Sequence, residues 1–332
     1  MKTVSTLRRI LTTTATAAAG TVFALAGFVG TTNADVATQS YQISPPTANY
    51  AANPGASVTG SMKVTNLTGS PMTINVGKEN FVAKGEEGEI ELTDNADPLY
   101  SLAPWFSFDA AQLNVPPRST VSLGYTIAVP ANAEPGGRYG SITFNTIPPK
   151  LPNGQSGAAV EQNLAGIVFL RINGAAKEQV SVDTFETGIY TAKTSDFLPK
   201  TFFEYGPVDF LTRVQNNGNV HEKPTGQITI KNMFGATVAV IPLDQHFVIP
   251  GAIRRLHNTW TAPKHSLLIG SYSAHLVATY ATGKTLTADT SFLVLPWRLL
   301  LIVLVIVVLV FLFFWKGRKR LARAVRILAG KE

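Results

Sequence analysis

The residue types that most often carry chemistry are scattered along this 332-residue chain rather than grouped. The histidines lack the i, i+2 and i, i+4 spacings that place two ring nitrogens on one metal ion. They are His221, His246, His257, His265 and His275. Cysteine is absent, and no nucleophile elbow, phosphate-binding loop or dinucleotide fingerprint occurs. The sequence therefore predicts a protein that is not an enzyme and that holds no metal and no cofactor.

One stretch combines acidic and aromatic side chains in a way that could bind a partner. Residues 84–98, KGEEGEIELTDNADP, form the densest acidic run, and the aromatic stretch PWFSF follows at 104–108. Exposed aromatic side chains carry much of the energy of an interface, and carboxylates favour a basic partner. The ligand-binding surface predicted here consists of Trp105, Phe106, Glu86 and Glu87.

Simpler interpretations of that stretch remain open. The acidic run could be a solvated loop, and it lacks the ligand spacing of an EF-hand calcium site. The aromatic residues could form a half-buried strand edge. A thermal melt of a Trp105→Ala variant separates the two interpretations of the aromatic stretch, because only a core tryptophan is needed for folding.

The first 34 residues have the organisation of a secretory signal peptide. Lys2, Arg8 and Arg9 precede an uncharged stretch rich in Ala, Thr and Val, and the small residues that a signal peptidase reads end at Ala34. We predict that residues 1–34 are a signal peptide. An N-terminal membrane helix that is retained is the alternative.

A membrane segment is also predicted near the C-terminus. The run from Leu299 to Trp315 is uninterrupted apolar sequence, and at 1.5 Å per residue it spans about 26 Å, close to the thickness of the bilayer core. We predict a transmembrane helix at 297–315 and a basic cytoplasmic tail at 316–332. The tail residues expected at the membrane surface are Lys316, Arg318, Lys319, Arg320 and Arg323.

The distribution of charge supports a membrane location. The net charge is +7, but residues 1–9 and 316–332 together hold ten basic residues and one acid, which leaves 18 basic and 20 acidic residues elsewhere. Nucleic acid is excluded as a partner, because this middle part has no basic surplus to neutralise phosphates. The basic residues after the apolar run predict a single-pass type I protein of the cell membrane with an extracellular ectodomain.

The chain between the two membrane-directed segments has the pattern of β-structure. Apolar and polar residues alternate at 121–129, 272–280 and 286–294, and a period of two is typical of a strand with one buried face. Prolines and glycines fall mostly between such runs. Short strands separated by regular turns predict an all-β fold of the sandwich type.

One phrase occurs twice and divides this region in two. GRYGSITF at 137–144 and GSYSAHLV at 270–277 each begin seven residues after a proline, and VTNLTGS at 64–70 matches VQNNGN at 214–219. Turn-forming residues that recur at matched intervals suggest two copies of one domain type. We therefore predict two immunoglobulin-like β-sandwich domains.

The predicted domains span residues 40–188 and 205–295, with a linker at 189–204. The repeated phrase is then a corner of the fold. Tyr139 and Tyr272 take the place of the tyrosine in an immunoglobulin-type corner, whose side chain is buried and whose hydroxyl bonds to the backbone. We expect both residues to be structural rather than functional.

The whole arrangement resembles the WxL-interacting surface proteins of Gram-positive bacteria. The resemblance rests on NPGASVTGSMKVTNLTGSPMTINV, VPPRSTVSLGYTIAVP and PGGRYGSITF, together with the signal peptide, the apolar segment and the basic tail. It implies contact with peptidoglycan through the first domain and with a partner protein through the second.

Two functional hypotheses follow from these observations. In the first, the chain is a membrane-anchored extracellular binding or scaffold protein that contacts a cell-wall polymer or a surface protein. In the alternative, it is a membrane-tethered chaperone or assembly factor for secreted surface subunits. Exposed edge strands serve both hypotheses, because such strands bind extended segments by strand addition.

Overall fold

The computed structural model describes residues 40–147, 161–191, 196–262 and 267–328, with side chains as far as residue 318. Within these ranges the chain forms four β-sheets around two main hydrophobic cores, followed by one long helix. The prediction of an all-β fold with an apolar C-terminal helix is confirmed. The predicted signal peptide and the side chains of Lys319, Arg320 and Arg323 lie outside the described residues.

The first sandwich contains the strands as far as residue 172. They are β1 (Tyr41–Ser44), β2 (Thr47–Ala52), β3 (Ser57–Asn66), β4 (Met72–Lys84), β5 (Glu89–Thr93), β6 (Phe106–Phe108), β7 (Gln112–Val115), β8 (Thr120–Ala128), β9 (Gly136–Ile147) and β10 (Asn163–Ile172). One sheet has the order β1-β3-β8-β6, and the other has the order β2-β10-β9-β4-β5, with β7 also paired to β4. Alternate residues of both sheets point inward and form the first core.

The second sandwich contains the remaining strands. They are β11 (Val180–Thr191), β12 (Asp196–Pro199), β13 (Phe202–Phe203), β14 (Val208–Asn216), β15 (Thr225–Asn232), β16 (Thr237–Pro242), β17 (Ile253–Trp260), β18 (Gly270–Tyr280) and β19 (Lys284–Val294). The sheet orders are β12-β11-β14-β17 and β13-β19-β18-β15-β16. The aromatic residues Phe210, Trp260 and Phe292 lie in the second core between these sheets.

The two sandwiches share one strand arrangement. The strand order β1-β3-β8 in the first sandwich corresponds to the order β11-β14-β17 in the second. In the other pair of sheets, the order β2-β10-β9-β4 corresponds to β13-β19-β18-β15. In each sandwich one short strand pairs in parallel with the last long strand, β2 with β10 and β13 with β19. The phrase that occurs twice in the sequence accordingly falls on equivalent strands, β9 and β18.

A buried asparagine ends the equivalent strands β3 and β14. The side-chain amide of Asn66 donates hydrogen bonds to the backbone carbonyls of Ser70 (2.8 Å) and Val115 (3.1 Å). The Asn216 amide donates in the same way to Val220 (2.8 Å) and Val248 (2.7 Å). A buried amide must be hydrogen-bonded, so each asparagine fixes the turn after its strand to a second loop. This explains why VTN and VQN recur in the sequence.

The boundary between the sandwiches differs from the predicted one. Strand β11 pairs with β14 and therefore belongs to the second sandwich, so the prediction that the first domain reaches residue 188 is wrong. The connection between the sandwiches lies at 173–179 instead of 189–204. The sequence pattern of a strand carries no information about its partner strand, which tertiary packing decides.

Helix α1 (Trp297–Leu328) follows the last strand with only two residues between them. The segment Trp297–Arg318 has 22 residues, and an 18-residue window within it has a mean hydropathy of 3.1 and is not buried against the sandwiches. By length and composition this segment can cross a membrane. Its first turn is fixed to the second sandwich, because Arg298 pairs with Glu204 at 3.5 Å and the Leu295 amide donates to Phe203 at 2.8 Å.

Candidate binding surfaces

The acidic turn between β4 and β5 is docked on the second sandwich. The Glu86 carboxylate accepts hydrogen bonds from Arg213 (2.6 and 2.9 Å) and from Arg255 (2.9 Å). The Arg255 backbone amide also donates to the Glu86 carbonyl at 2.9 Å. The hydrogen bond from Arg213 holds the pKa of Glu86 below its ordinary value.

The next residues of the same turn extend this contact. Glu87 pairs with Arg255 at 3.3 Å and with His257 at 3.2 Å. Gly88 has a φ of +86°, and a Cβ atom at this position would overlap the Arg254 guanidinium. Glu86 and Glu87 therefore bind arginines of their own chain, and the prediction that they form an open site for a basic partner is wrong.

The aromatic half of the predicted surface lies in and against the first core. Phe106 is 3% exposed and belongs to that core, so the prediction that it contacts a ligand is wrong. Trp105 is half-buried at the end of a short 3-10 turn, and the Arg138 guanidinium lies 5.5 Å from its ring centre. The interpretation as a half-buried strand edge describes this segment better than an exposed aromatic site does.

The two predicted corner tyrosines occupy different environments. Tyr272 lies in the second core, with its ring stacked on Phe292 at 5.5 Å. Tyr139 is 2% exposed and packs with Phe81 and Phe169 in a third cluster, which also includes Phe247 and Ile249 of the second sandwich. Tyr139 is thus structural, but it lies between the sandwiches rather than in a corner.

The expected hydrogen bond from Tyr139 to the backbone is not formed. Its buried hydroxyl has no hydrogen-bond partner among the described residues. Burial raises the pKa of this hydroxyl well above its ordinary value. The alternating side chains of β9 explain the position, because Tyr139 points to the face of the sheet opposite Ile142 and the first core.

A buried histidine completes the contact between the sandwiches. The His221 Nε2 atom lies 3.0 Å from the Asn49 Oδ1 atom. The His221 ring packs against Phe169 (5.1 Å), Phe247 (5.4 Å) and Tyr139 (5.7 Å between ring centres). Burial, with a smaller contribution from Arg171, lowers its pKa to about 4. The histidine is therefore neutral at physiological pH and part of an apolar junction.

Two clefts lie along this junction beside the β4–β5 hairpin. One has a volume of about 220 Å³ and is lined by Phe81, Phe169 and Arg254 among others; the second, of about 470 Å³, reaches Tyr100 and Tyr139. Neither holds a nucleophile next to a base, and nowhere in the described ranges do three His, Asp or Glu side chains gather as metal ligands. The clefts are features of the junction between the sandwiches.

Strand β16 is the candidate binding surface that the sequence analysis missed. It is the terminal strand of its sheet, paired with β15 on one side only. Its six residues, TVAVIP, carry no charge, and Val238 and Val240 point to solvent, the latter with 52% of its surface exposed. The register with β15 shifts at Val238, but the strand remains an uncharged edge with free backbone groups, which is a template for another strand.

Four other terminal strands are less suited to strand addition. Strands β6 and β13 have three and two residues, and β5 carries exposed Glu89 and Glu91. The edge strand β17 is partly covered, because its Arg255 amide donates to Glu86 of the first sandwich. Charges and short length are the usual protections of an edge, and β16 lacks both. In the sequence, this edge strand could have been recognised from the uncharged run TVAVIP, which is rich in β-branched residues.

Lys316 and Arg318 are exposed at the end of the apolar segment of α1. This position agrees with a membrane-surface location for the two side chains. The described part of the protein therefore consists of two linked β-sandwiches and one helix that is able to cross a membrane.

No family model matches the chain, and no curated protein matches it. Among solved structures it is similar to the class 5 fimbriae chaperone CfaA, with 11% identity, a TM-score of 0.38 and coverage of 77% of this chain and 100% of the other. It is also similar to the E. coli chaperone DraB, with 12% identity, a TM-score of 0.35 and coverage of 75% and 95%. The fold described above rests on sheet topology, and these distant similarities add nothing to it.

Proposed function

We propose that this chain is a non-enzymatic, membrane-anchored protein that captures extended segments of secreted or surface proteins by strand addition. The observation that carries the proposal is the free, uncharged edge of β16, with Val238 and Val240 facing solvent. Two immunoglobulin-like sandwiches, fixed to each other by the Glu86 and His221 contacts, present this edge as one unit.

The chemistry of the edge defines the partner. Outward backbone N–H and C=O groups of β16 pair with any extended segment, and the exposed valines select apolar residues at alternate positions of that segment. Unfolded or incompletely assembled surface subunits expose such segments. This favours an assembly factor or chaperone over a permanent scaffold, since captured segments are released when the subunit completes its own fold.

The helix determines where this activity takes place. The segment Trp297–Arg318 anchors the chain, and the basic residues after it remain on the cytoplasmic side. The sandwiches are then extracellular, in the type I orientation, close to where secreted subunits emerge. Membership of the WxL-interacting family, and the contact with peptidoglycan that it implies, stay predictions to which no contact described above adds support.

The test is binding of a labelled peptide of alternating valine and threonine to the full chain in detergent, measured by fluorescence anisotropy. Val240→Lys is expected to weaken binding at least about tenfold, because a charge on the edge opposes strand addition. Val277→Lys is the matched control, since Val277 is also solvent-exposed but lies on the central strand β18. A peptide N-methylated at every residue is expected not to bind, because neither of its edges can donate hydrogen bonds to β16.

Two results would overturn the proposal. One is equal loss of binding in Val240→Lys and Val277→Lys, which would mean that the peptide contacts the sheet face. The other is full binding of the N-methylated peptide, which cannot donate the hydrogen bonds of a ladder. Binding of purified peptidoglycan without peptide binding would favour the first functional hypothesis.

A further inference from the structure

The loops at the two ends of the second sandwich differ in what covers them. At one end, the loops after β14 and β16 contact the first sandwich through Asn219, His221 and Phe247. At the other end, three described loops carry exposed apolar or aromatic side chains. These are Tyr205, Met233, Phe234, Leu267 and Ile269.

Strand register places these side chains at the same end as the start of α1. Gly270 pairs with Val294, three residues before the helix begins, and Asn232 pairs with Tyr272. The turn after Asn232 therefore lies level with the end of β19. The Met233 side chain lies against Gly270, where a Cβ atom would meet it at 2.7 Å. Five separate apolar side chains thus share the end from which the helix leaves the sandwich.

The turn that carries Phe234 is an ordered structure. Asn232 Oδ1 accepts hydrogen bonds from the Phe234 and Ala236 amides, each at 3.0 Å, and Gly235 supplies the positive φ that closes the turn. Phe234 at its tip is 85% exposed. An ordered turn that holds a phenyl ring in water carries an unfavourable hydration cost, which contact with an apolar environment removes.

We infer that this end of the second sandwich lies on the outer leaflet of the membrane that holds α1, with the Phe234 turn inserted into the interface. This inference rests on the proposed membrane anchor. Three residues of extended chain reach at most about 10 Å, so a bilayer around α1 lies within that distance of the loops. Aromatic and aliphatic side chains partition into such an interface.

The position of the charged residues near this end agrees with a lipid surface. Exposed Lys231 precedes the Phe234 turn, and Lys200 precedes β13, whose Phe202 is level with Leu293 of β19. Lysine side chains beside an inserted apolar tip reach anionic headgroups with their amines while their stems stay in apolar surroundings. Glu204 is neutralised by Arg298.

The absence of cysteine permits a site-specific test with the full chain. Phe234→Cys and Leu267→Cys are labelled with an environment-sensitive fluorophore and reconstituted into phosphatidylcholine–phosphatidylglycerol vesicles. We expect blue-shifted emission and loss of quenching by aqueous iodide at both positions. Thr285→Cys is the control, because Thr285 is exposed at the opposite end of β19 and its label should stay quenched.

The vesicles also separate failure of this inference from failure of the anchor. If the chain resists alkaline extraction but the labels at 234 and 267 are quenched as strongly as the label at 285, the loops do not touch the membrane and the inference is wrong. If the chain is released by alkaline extraction, the anchor itself is wrong and the inference fails with it. Blue-shifted emission at only one of the two loops overturns contact of the whole end.

Discussion

The Glu86 carboxylate and the Arg213 guanidinium meet in a two-point ion pair although they stand 127 residues apart, one on each sandwich. The distances are 2.6 and 2.9 Å, and Arg255 adds a third hydrogen bond of 2.9 Å. A planar guanidinium held at two points by a carboxylate has a defined orientation. This pair therefore fixes how the β4–β5 hairpin lies on the second sandwich.

Replacing Glu86 is expected to destabilise the protein. Glu86→Ala removes the carboxylate that Arg213 and Arg255 share, although each keeps a second carboxylate partner, and should cost about 2 kcal/mol, between the values typical of exposed and of buried pairs. Glu91→Ala is the control on the same hairpin, because its pair with Lys84 is exposed and 3.9 Å long, and it should cost under about 0.5 kcal/mol. Urea unfolding of the full chain in detergent, followed by circular dichroism, measures both. Equal effects of the two variants would contradict the two-point pair.

The stabilisation from Glu86 should depend on pH. Its pKa is lower in the folded protein than in the unfolded chain, so the stabilisation is present above the ordinary value of 4.5 and is lost as the pH falls through the folded pKa. The difference in unfolding free energy between wild type and Glu86→Gln should therefore shrink below pH 4.5. A difference that stays constant down to low pH would show that Glu86 does not act as a carboxylate.

His221 should give a second dependence on pH, in a different range. Its pKa falls from 6.5 to about 4 on folding, so the unfolded chain binds the proton more tightly. Stability is then full above pH 6.5 and declines as the pH falls toward 4, by up to about 3 kcal/mol. His221→Gln should lose this slope between pH 6.5 and 4, which urea unfolding at several pH values measures. An unchanged slope in the variant would assign the effect to another group.

Two glycines of the acidic turn allow a matched comparison. Gly85 and Gly88 both have positive φ, but a Cβ atom at Gly85 meets open space and one at Gly88 overlaps Arg254. Gly85→Ala should cost about 1 kcal/mol from backbone strain alone. Gly88→Ala should cost a little more, since the guanidinium end of the flexible Arg254 side chain must also move. Thermal melts of the two variants test the docked position of the turn, and equal melting temperatures would contradict it.

The sequence analysis expects the Tyr139 hydroxyl to stabilise the fold through a hydrogen bond to the backbone, and the structure predicts that it does not. Because its buried hydroxyl has no partner among the described residues, Tyr139→Phe should be neutral or slightly stabilising. Tyr41→Phe is the contrast, since the Tyr41 hydroxyl donates to the Phe144 carbonyl, and it should lose about 1 kcal/mol. The comparison needs one urea titration for each variant. A clear loss of stability in Tyr139→Phe would reveal a partner for its hydroxyl.

The sequence by itself determined the features that depend on local physics. A period of two defines β8, β18 and β19 because successive side chains of a strand point to opposite faces. A continuous apolar run defines α1, since its length matches a bilayer. The asparagines at 66 and 216 recur because each satisfies a local turn and one neighbouring loop.

Only the tertiary structure decided which surfaces face each other. Alternation shows that Tyr139 and Ile142 lie on opposite faces of β9, but it does not tell that both faces are buried, one in the first core and one on the second sandwich. Glu86 looks like a solvated acid until the arginines of β14 and β17 meet it. The partner of β11 and the free edge of β16 are decided in the same way. These contacts join residues far apart in the chain, and a pattern of neighbouring residues carries no information about them.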